Sequence, residues 1–299
     1  MKLPRFPLLY LGWLLLVLLL GARGEAAQVT VVTTPEGVEF GFLGSKPTTP
    51  APTLFVFSQD IQGTLSAIEA GRLLAARGFL CVSLDVPCHG KDNPEKFTNA
   101  LAGWADRLKR GGELIHGFTA KCTKVLDFLI AEGYSDPKRV AACGQSRGGF
   151  IAFHVAAADP RIRCAAAFAP VTNLLALGEF KGLENSPAVT SLALARSAEK
   201  LANRPLWLCI GNKDRRVDTD AAIAFTRAVV EAAVARDTPP LVELRVTSPS
   251  HYDEAWAKLP EKERQTRMWK GHFSYPAAHA DAAAWIEEQL KRQLAPVRR

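Results

Sequence analysis

From Gln28 onward, short apolar runs alternate with longer amphipathic stretches, and this alternation limits the chain to a mostly parallel sheet with helices on both faces. Gln28 to Thr34 and Gly37 to Leu43 read as two early strands joined by the turn Thr34-Pro35-Glu36-Gly37. Further strands are expected at Thr53 to Phe57, Phe79 to Leu84, Lys138 to Gly144, Arg163 to Phe168, Pro205 to Gly211 and Leu241 to Thr247. Helices are expected at Leu65 to Arg77, Glu113 to Glu132, Arg147 to Ala158, Asp220 to Ala235 and Pro276 to Leu290. Gly78 and Gly133 stop the first two, and Asp159-Pro160 stops the third. Asp85 to Leu108 reads as irregular, and Val171 to Asn203 as mostly helical but uneven, a place for a small lid. No repeat or linker divides residues 28–299, which read as one α/β domain. In such sheets the chemistry sits at the C-terminal ends of the strands.

Residues 1–27 stand apart. Lys2 and Arg5 precede an apolar run from Leu8 to Leu20, and small residues follow in Gly21-Ala22-Arg23-Gly24-Glu25-Ala26-Ala27. A basic start, a short apolar stretch and small residues make a secretory signal peptide, cleaved after Gly24, Ala26 or Ala27. The apolar run is shorter than the roughly 20 residues of a membrane-spanning helix, although an uncleaved anchor is the alternative. The expected product is a secreted or periplasmic protein with no stable membrane span in the mature chain. The net charge of +7 includes Lys2, Arg5 and Arg23, so the mature part is only mildly basic. No basic stripe with interleaved aromatics suggests nucleic acid.

Six cysteines remain. Cys81, Cys143, Cys164 and Cys209 fall in expected strands, where a cysteine is a small buried hydrophobe. Cys88 and Cys122 lie outside them, and export would permit a bridge between the two. With no CxxC and no HExxH, no metal or cofactor is expected.

The chemistry-bearing motif is Gly144-Gln145-Ser146-Arg147-Gly148-Gly149, a G-x-S-x-G that follows an apolar strand and opens a small-residue helix. Such a turn projects the serine hydroxyl above the sheet. A serine needs a base, and in this arrangement the acid and then the histidine follow it in the chain. The acid is expected in Gly211-Asn212-Lys213-Asp214-Arg215-Arg216-Val217, after the next strand but one, which selects Asp214; Asp218 competes, with helix capping as its other role. For the base, His272 in Lys270-Gly271-His272-Phe273 sits on a loop before the final helix, with His251 as its rival. His279 reads as a solvated helix residue and His89 as a structural hydrogen-bonding group. An oxyanion hole needs two main-chain N–H groups. Arg147 supplies one, and Asp60, or failing that Gln59, supplies the other from the loop after the Thr53–Phe57 strand. The Arg147 side chain would pair with Asp60 or bind a substrate carboxylate.

These residues resemble the α/β-hydrolase superfamily, and most closely its dienelactone-hydrolase and prolyl-oligopeptidase-like branch. The matching segments are Asp85-Val86-Pro87-Cys88-His89-Gly90, the Ser146 motif, the Asp214 segment and Gly271-His272, in the family's order. The resemblance implies an α/β-hydrolase fold and a serine hydrolase without a cofactor. It would act through an acyl-enzyme on a small-molecule ester or a short peptide. The loop after the Thr53–Phe57 strand departs from the family in lacking His-Gly. Serine in place of the cysteine of dienelactone hydrolases favours carboxylic esters over the alternatives, a peptidase or a catalytically silent binding protein. The oligomeric state is left open. The export expectation is checked by N-terminal sequencing of protein from its native host: the chain should begin between Glu25 and Gln28, and an intact Met1 on a cytoplasmic protein would refute it.

Overall fold

The apolar runs assemble into one eight-stranded sheet in the computed structural model, which describes residues 28–93, 96–248, 260 and 271–292. The strands are β1 (Val29–Thr33), β2 (Glu39–Leu43), β3 (Ala51–Phe57), β4 (Leu80–Ser83), β5 (Ser135–Gln145), β6 (Ile162–Phe168), β7 (Leu206–Gly211) and β8 (Val242–Thr247). Their order is β1-β2-β4-β3-β5-β6-β7-β8. β2 runs antiparallel to β1 and β4, and every other pairing is parallel. This is the α/β-hydrolase arrangement that the sequence implied.

Alternation along each strand sends side chains to two separate cores. Leu54, Val56, Cys81, Cys143, Cys164 and Cys209 point to one face, which is covered by α1 (Ile61–Ala67), α2 (Glu69–Ala75) and α9 (Ala278–Arg292). Phe55, Phe57, Ala142, Ala165 and Leu208 point to the other. There they meet α3 (Ala100–Lys109), α4 (His116–Ala131), α5 (Arg147–Ala158) and α8 (Thr219–Val234). Both faces of the central strands are therefore dry, which explains their nearly unbroken apolar sequence. At the edge, β8 is only partly buried and carries Glu243 and Arg245, charges that discourage a further strand from pairing.

Several local expectations give way to tertiary contacts. The single helix expected over Leu65 to Arg77 is two, α1 and α2, because Ile68 takes an extended ψ of 103° between them. Within the stretch read as irregular, Asn99 caps α3 by accepting from Leu101 N at 3.1 Å. Trp104 of α3 is fully buried and donates to Pro87 O at 2.6 Å. The segment 171–203 folds as successive 3-10 turns with two short helices, α6 (Pro187–Thr190) and α7 (Ala198–Leu201), and buries Leu174, Leu177, Phe180 and Leu194 in the core. His279 is not a solvated residue. Its ring packs 3.9 Å from the Phe168 ring centroid, its Nδ1 is buried without a partner among the described residues, and burial pushes its pKa down.

Cys88 and Cys122 are buried but are not bridged. Cys88 is turned onto α3, where a Cβ on Gly103 would lie 3.0 Å from its sulfur, whereas Cys122 belongs to the buried stripe of α4. Among the described residues no helix is long and apolar enough to cross a membrane, and residues 1–27 lie outside them.

Because Leu54 is fully buried in the middle of the sheet, Leu54→Ala should lower stability by about 2–5 kcal/mol. Urea unfolding with an unchanged slope measures the loss, and a shift below about 1 kcal/mol would contradict the packing described.

Candidate active site

β5 ends at Gln145 and α5 starts at Arg147, so one residue, Ser146, makes the whole turn. Its φ of 53° and ψ of −117° lie where side chains other than glycine seldom go, at a cost of about 1–3 kcal/mol. Main-chain bonds hold it there. Ser146 N donates to Phe168 O at 2.8 Å, and Ser146 O accepts from Gly149 N at 3.0 Å and Val171 N at 3.1 Å. The flanking glycines are steric requirements: a Cβ on Gly144 would lie 2.1 Å from Gly148 O, and one on Gly148 would lie 1.9 Å from Phe57 O.

Asp214 enters from the loop after β7. It is 3% exposed, and its Oδ1 accepts from Arg216 N at 2.8 Å and Val217 N at 3.0 Å. Its own N–H donates to Thr219 Oγ1 at 3.0 Å, and that hydroxyl donates to Gly211 O at 2.6 Å. Oδ2 is thereby turned to His272 Nδ1, 2.8 Å away. On the other side of the ring, His272 Nε2 lies 3.1 Å from Ser146 Oγ. Asp218 instead takes a φ of 69° and caps α8, accepting from Asp220 N at 2.9 Å. His251 lies outside the described residues.

Two glycines let the His272 turn lie against the end of β7. Gly271 has a φ of 68°, and a Cβ there would lie 2.3 Å from Lys213 O. A Cβ on Gly211 would lie 2.3 Å from Gly271 O.

Across the serine lies the loop after β3. Gln59 N donates to Thr64 Oγ1 at 2.9 Å, so that N–H is already engaged. Asp60 is the N-cap of α1, and its carboxylate accepts from Gly63 N at 2.8 Å. The expected pairing of Asp60 with Arg147 does not form, because the cap holds the carboxylate and Arg147 Nε donates to Ser58 O at 2.9 Å. Arg147 N, at the first position of α5, has no carbonyl four residues earlier in the helix to bond.

The rim is polar and mostly neutralised. His89 Nδ1 lies 3.1 Å from Pro87 O, and burial, followed by the nearby Arg147 charge, pushes its pKa down. Asp85 accepts from Ile61 N at 2.9 Å and Lys91 N at 2.8 Å, tying the loop after β4 to α1. Arg216 grips Glu179 with two bonds of 2.8 and 2.6 Å. That pairing, aided by Asn99 at 3.0 Å, holds the Glu179 carboxyl at about 2. Glu179, Asn99 and Thr219 were not singled out from the sequence. Glu179 and Arg216 are 37 residues apart, a separation that no local pattern bridges.

The comparisons with known proteins agree with this frame. The model of the prolyl oligopeptidase family (peptidase S9) matches residues 72–292, more than half of the chain. The acylaminoacyl peptidase of Pyrococcus horikoshii superposes with a TM-score of 0.63 at 14% identity, over 93% of this chain and 45% of that one. Porphyromonas gingivalis dipeptidyl peptidase 4 gives 0.58 at 16% identity, over 88% of this chain and 36% of that one. This chain therefore spans less than half the length of those peptidases. A Klebsiella pneumoniae protein assigned as a dienelactone hydrolase gives 0.56 at 19% identity, over 88% of this chain and 100% of that one. Identities this low speak for the fold. No curated protein matches the sequence. On the strength of the family match, the chain belongs to the prolyl oligopeptidase family of serine hydrolases, and it shares its α/β-hydrolase fold with these neighbours.

Proposed function

We propose that the protein is an exported carboxylic-ester hydrolase that works through an acyl-enzyme on Ser146. The observation that carries this reading is the continuous hydrogen-bond chain from Ser146 Oγ through His272 to Asp214, at 3.1 and 2.8 Å. As Ser146 Oγ attacks the substrate carbonyl, His272 Nε2 takes its proton. Asp214 fixes the ring through Nδ1 and stabilises the imidazolium that forms. The N–H groups of Arg147 and Asp60 face the developing oxyanion. The tetrahedral intermediate collapses, His272 gives its proton to the departing alkoxide, and the acyl group stays on Ser146. Water then enters, loses a proton to His272 and releases the acid, which restores the serine.

Membership of a peptidase family favours a second reading, in which the leaving group is an amine. The chemistry at Ser146 is the same, and only the bond cleaved differs. A panel of short acyl esters against acyl-peptide amides separates the two, since peptide turnover without ester turnover would remove the first.

A fluorophosphonate probe should label Ser146, and Ser146→Ala should abolish the label. His272→Ala should lower turnover by about four orders of magnitude or more, as in other triads, while His251→Ala keeps most of it. A folded wild-type protein that takes no label would refute the assignment. Gly271→Ala forces the His272 turn away from Lys213 O, so labelling should slow at least tenfold, roughly, without loss of the folded state by circular dichroism. Labelling at the wild-type rate would mean that this close approach is dispensable.

A further inference from the structure

We infer that the Arg147 side chain binds a carboxylate on the substrate, so that the natural ester or amide carries a negative charge close to its scissile carbonyl. This rests on the reading of Ser146 as nucleophile and adds a substrate class to it.

Arg147 follows Ser146 directly, and its guanidinium is half-buried among the loops at the C-terminal ends of the strands. Its Nε is fixed on Ser58 O after β3, and it acts electrostatically on His89 after β4. Arg216 after β7 in turn acts on it. A partly desolvated cation calls for a counter-charge. Among the described residues no carboxylate comes within ion-pair distance of Arg147.

The acids nearby are committed elsewhere. Asp60 caps α1 through Gly63 N. Asp85 holds Ile61 N and Lys91 N. Glu179 is taken by Arg216 and Asn99. Asp214 holds His272 and two main-chain N–H groups. Arg216 is ion-paired with Glu179, and burial followed by the Arg147 charge pushes the His89 pKa down. Burial and Arg216 also pull the Arg147 pKa down from its ordinary value, the direction expected of a cation with no neutralising partner.

Other arginines in this protein use their terminal nitrogens: Arg204, with no ion pair among the described residues, donates Nη1 to Asp159 O and Ile162 O. Arg161 sits between Asp159 and Asp127, and Arg245 between Glu243 and Asp281. Among the described residues only Nε of Arg147 is used, which leaves the two terminal nitrogens as the pair that a carboxylate matches.

The test uses two matched pairs of esters on the full protein. One pair places the charge on the acyl side, 4-nitrophenyl valerate against mono-4-nitrophenyl glutarate. The other places it on the alcohol side, phenyl butyrate against 3-carboxyphenyl butyrate. Rates are divided by those of uncatalysed hydrolysis. The wild type should prefer the carboxylate member of at least one pair by about tenfold or more in kcat/KM, chiefly through KM, as a charge-assisted contact made equally in the ground and transition states would give. Arg147→Gln should collapse that ratio to about 1, and Arg147→Lys should keep part of it.

In the wild type alone, glutarate should inhibit turnover of the neutral ester competitively and glutaramide should not, which needs no variant to fold. Label on Ser146 with no preference in either pair, or a preference that survives Arg147→Gln, would overturn the inference and leave the hydrolase reading intact. Absence of label together with absence of turnover on all four esters would overturn both.

Discussion

The contact on which the site depends is the close approach of backbone to backbone at the end of β5. Gly148 lies against the Phe57 carbonyl, and Gly144 against Gly148, each so tightly that a single added carbon would collide. This approach sets where α5 begins and how it crosses the sheet. It also forces the reversal into one residue, with Ser146 at a φ of 53°. The Phe168 carbonyl of β6 then pins Ser146 N at 2.8 Å. Three adjacent parallel strands, β3, β5 and β6, thus hold one serine. The position of that hydroxyl is a property of the sheet rather than of a loop.

The second half of the site repeats the same device. Gly211 and Gly271 let the turn bearing His272 press against the end of β7, where Asp214 is locked by Arg216 N, Val217 N and Thr219. The carboxylate is fully buried, but its oxygens are occupied by three N–H donors, which is the condition for keeping a charge out of water. His272 remains partly open, so its ring stands between a buried anion and the solvent-facing serine. One rigid partner on each side fixes the direction of both ring nitrogens.

What could be read from the sequence was whatever has a period or a fixed chain order. The parallel strands announce themselves because burial on both faces leaves no polar position to interrupt them. Chain order and loop position selected Ser146, Asp214 and His272, and the structure brings the three within hydrogen-bonding distance. What failed was decided by distant contacts. α3 was overlooked because Gly, Pro and charge hid its apolar stripe of Leu101, Trp104, Ala105 and Leu108. The helix break at Ile68 has no Gly or Pro to mark it. His279 was taken for a surface residue because its helix position alone says nothing of the Phe168 ring that covers it. Whether Cys88 and Cys122 pair was left open by the sequence, and the folds of their separate segments turn them to different neighbours.

Backbone strain gathers after the parallel strands. Cys88, Ser146, Ala169 and Asp218, none of them glycine, all have positive φ, and they follow β4, β5, β6 and β7 respectively. Each is held by a specific bond: Cys88 N to Asp92 at 3.0 Å, Ser146 N to Phe168 O at 2.8 Å, Ala169 N to Cys209 O at 2.7 Å, and the Asp218 side chain to Asp220 N at 2.9 Å. Local propensity opposes all four conformations, so the buried sheet and these bonds must impose them. The rim where strands end in parallel is therefore where sequence rules are weakest and the polypeptide is most constrained. Ser146, Asp214 and Arg147 can be held there because the two apolar cores beneath them supply the stability that this rim does not.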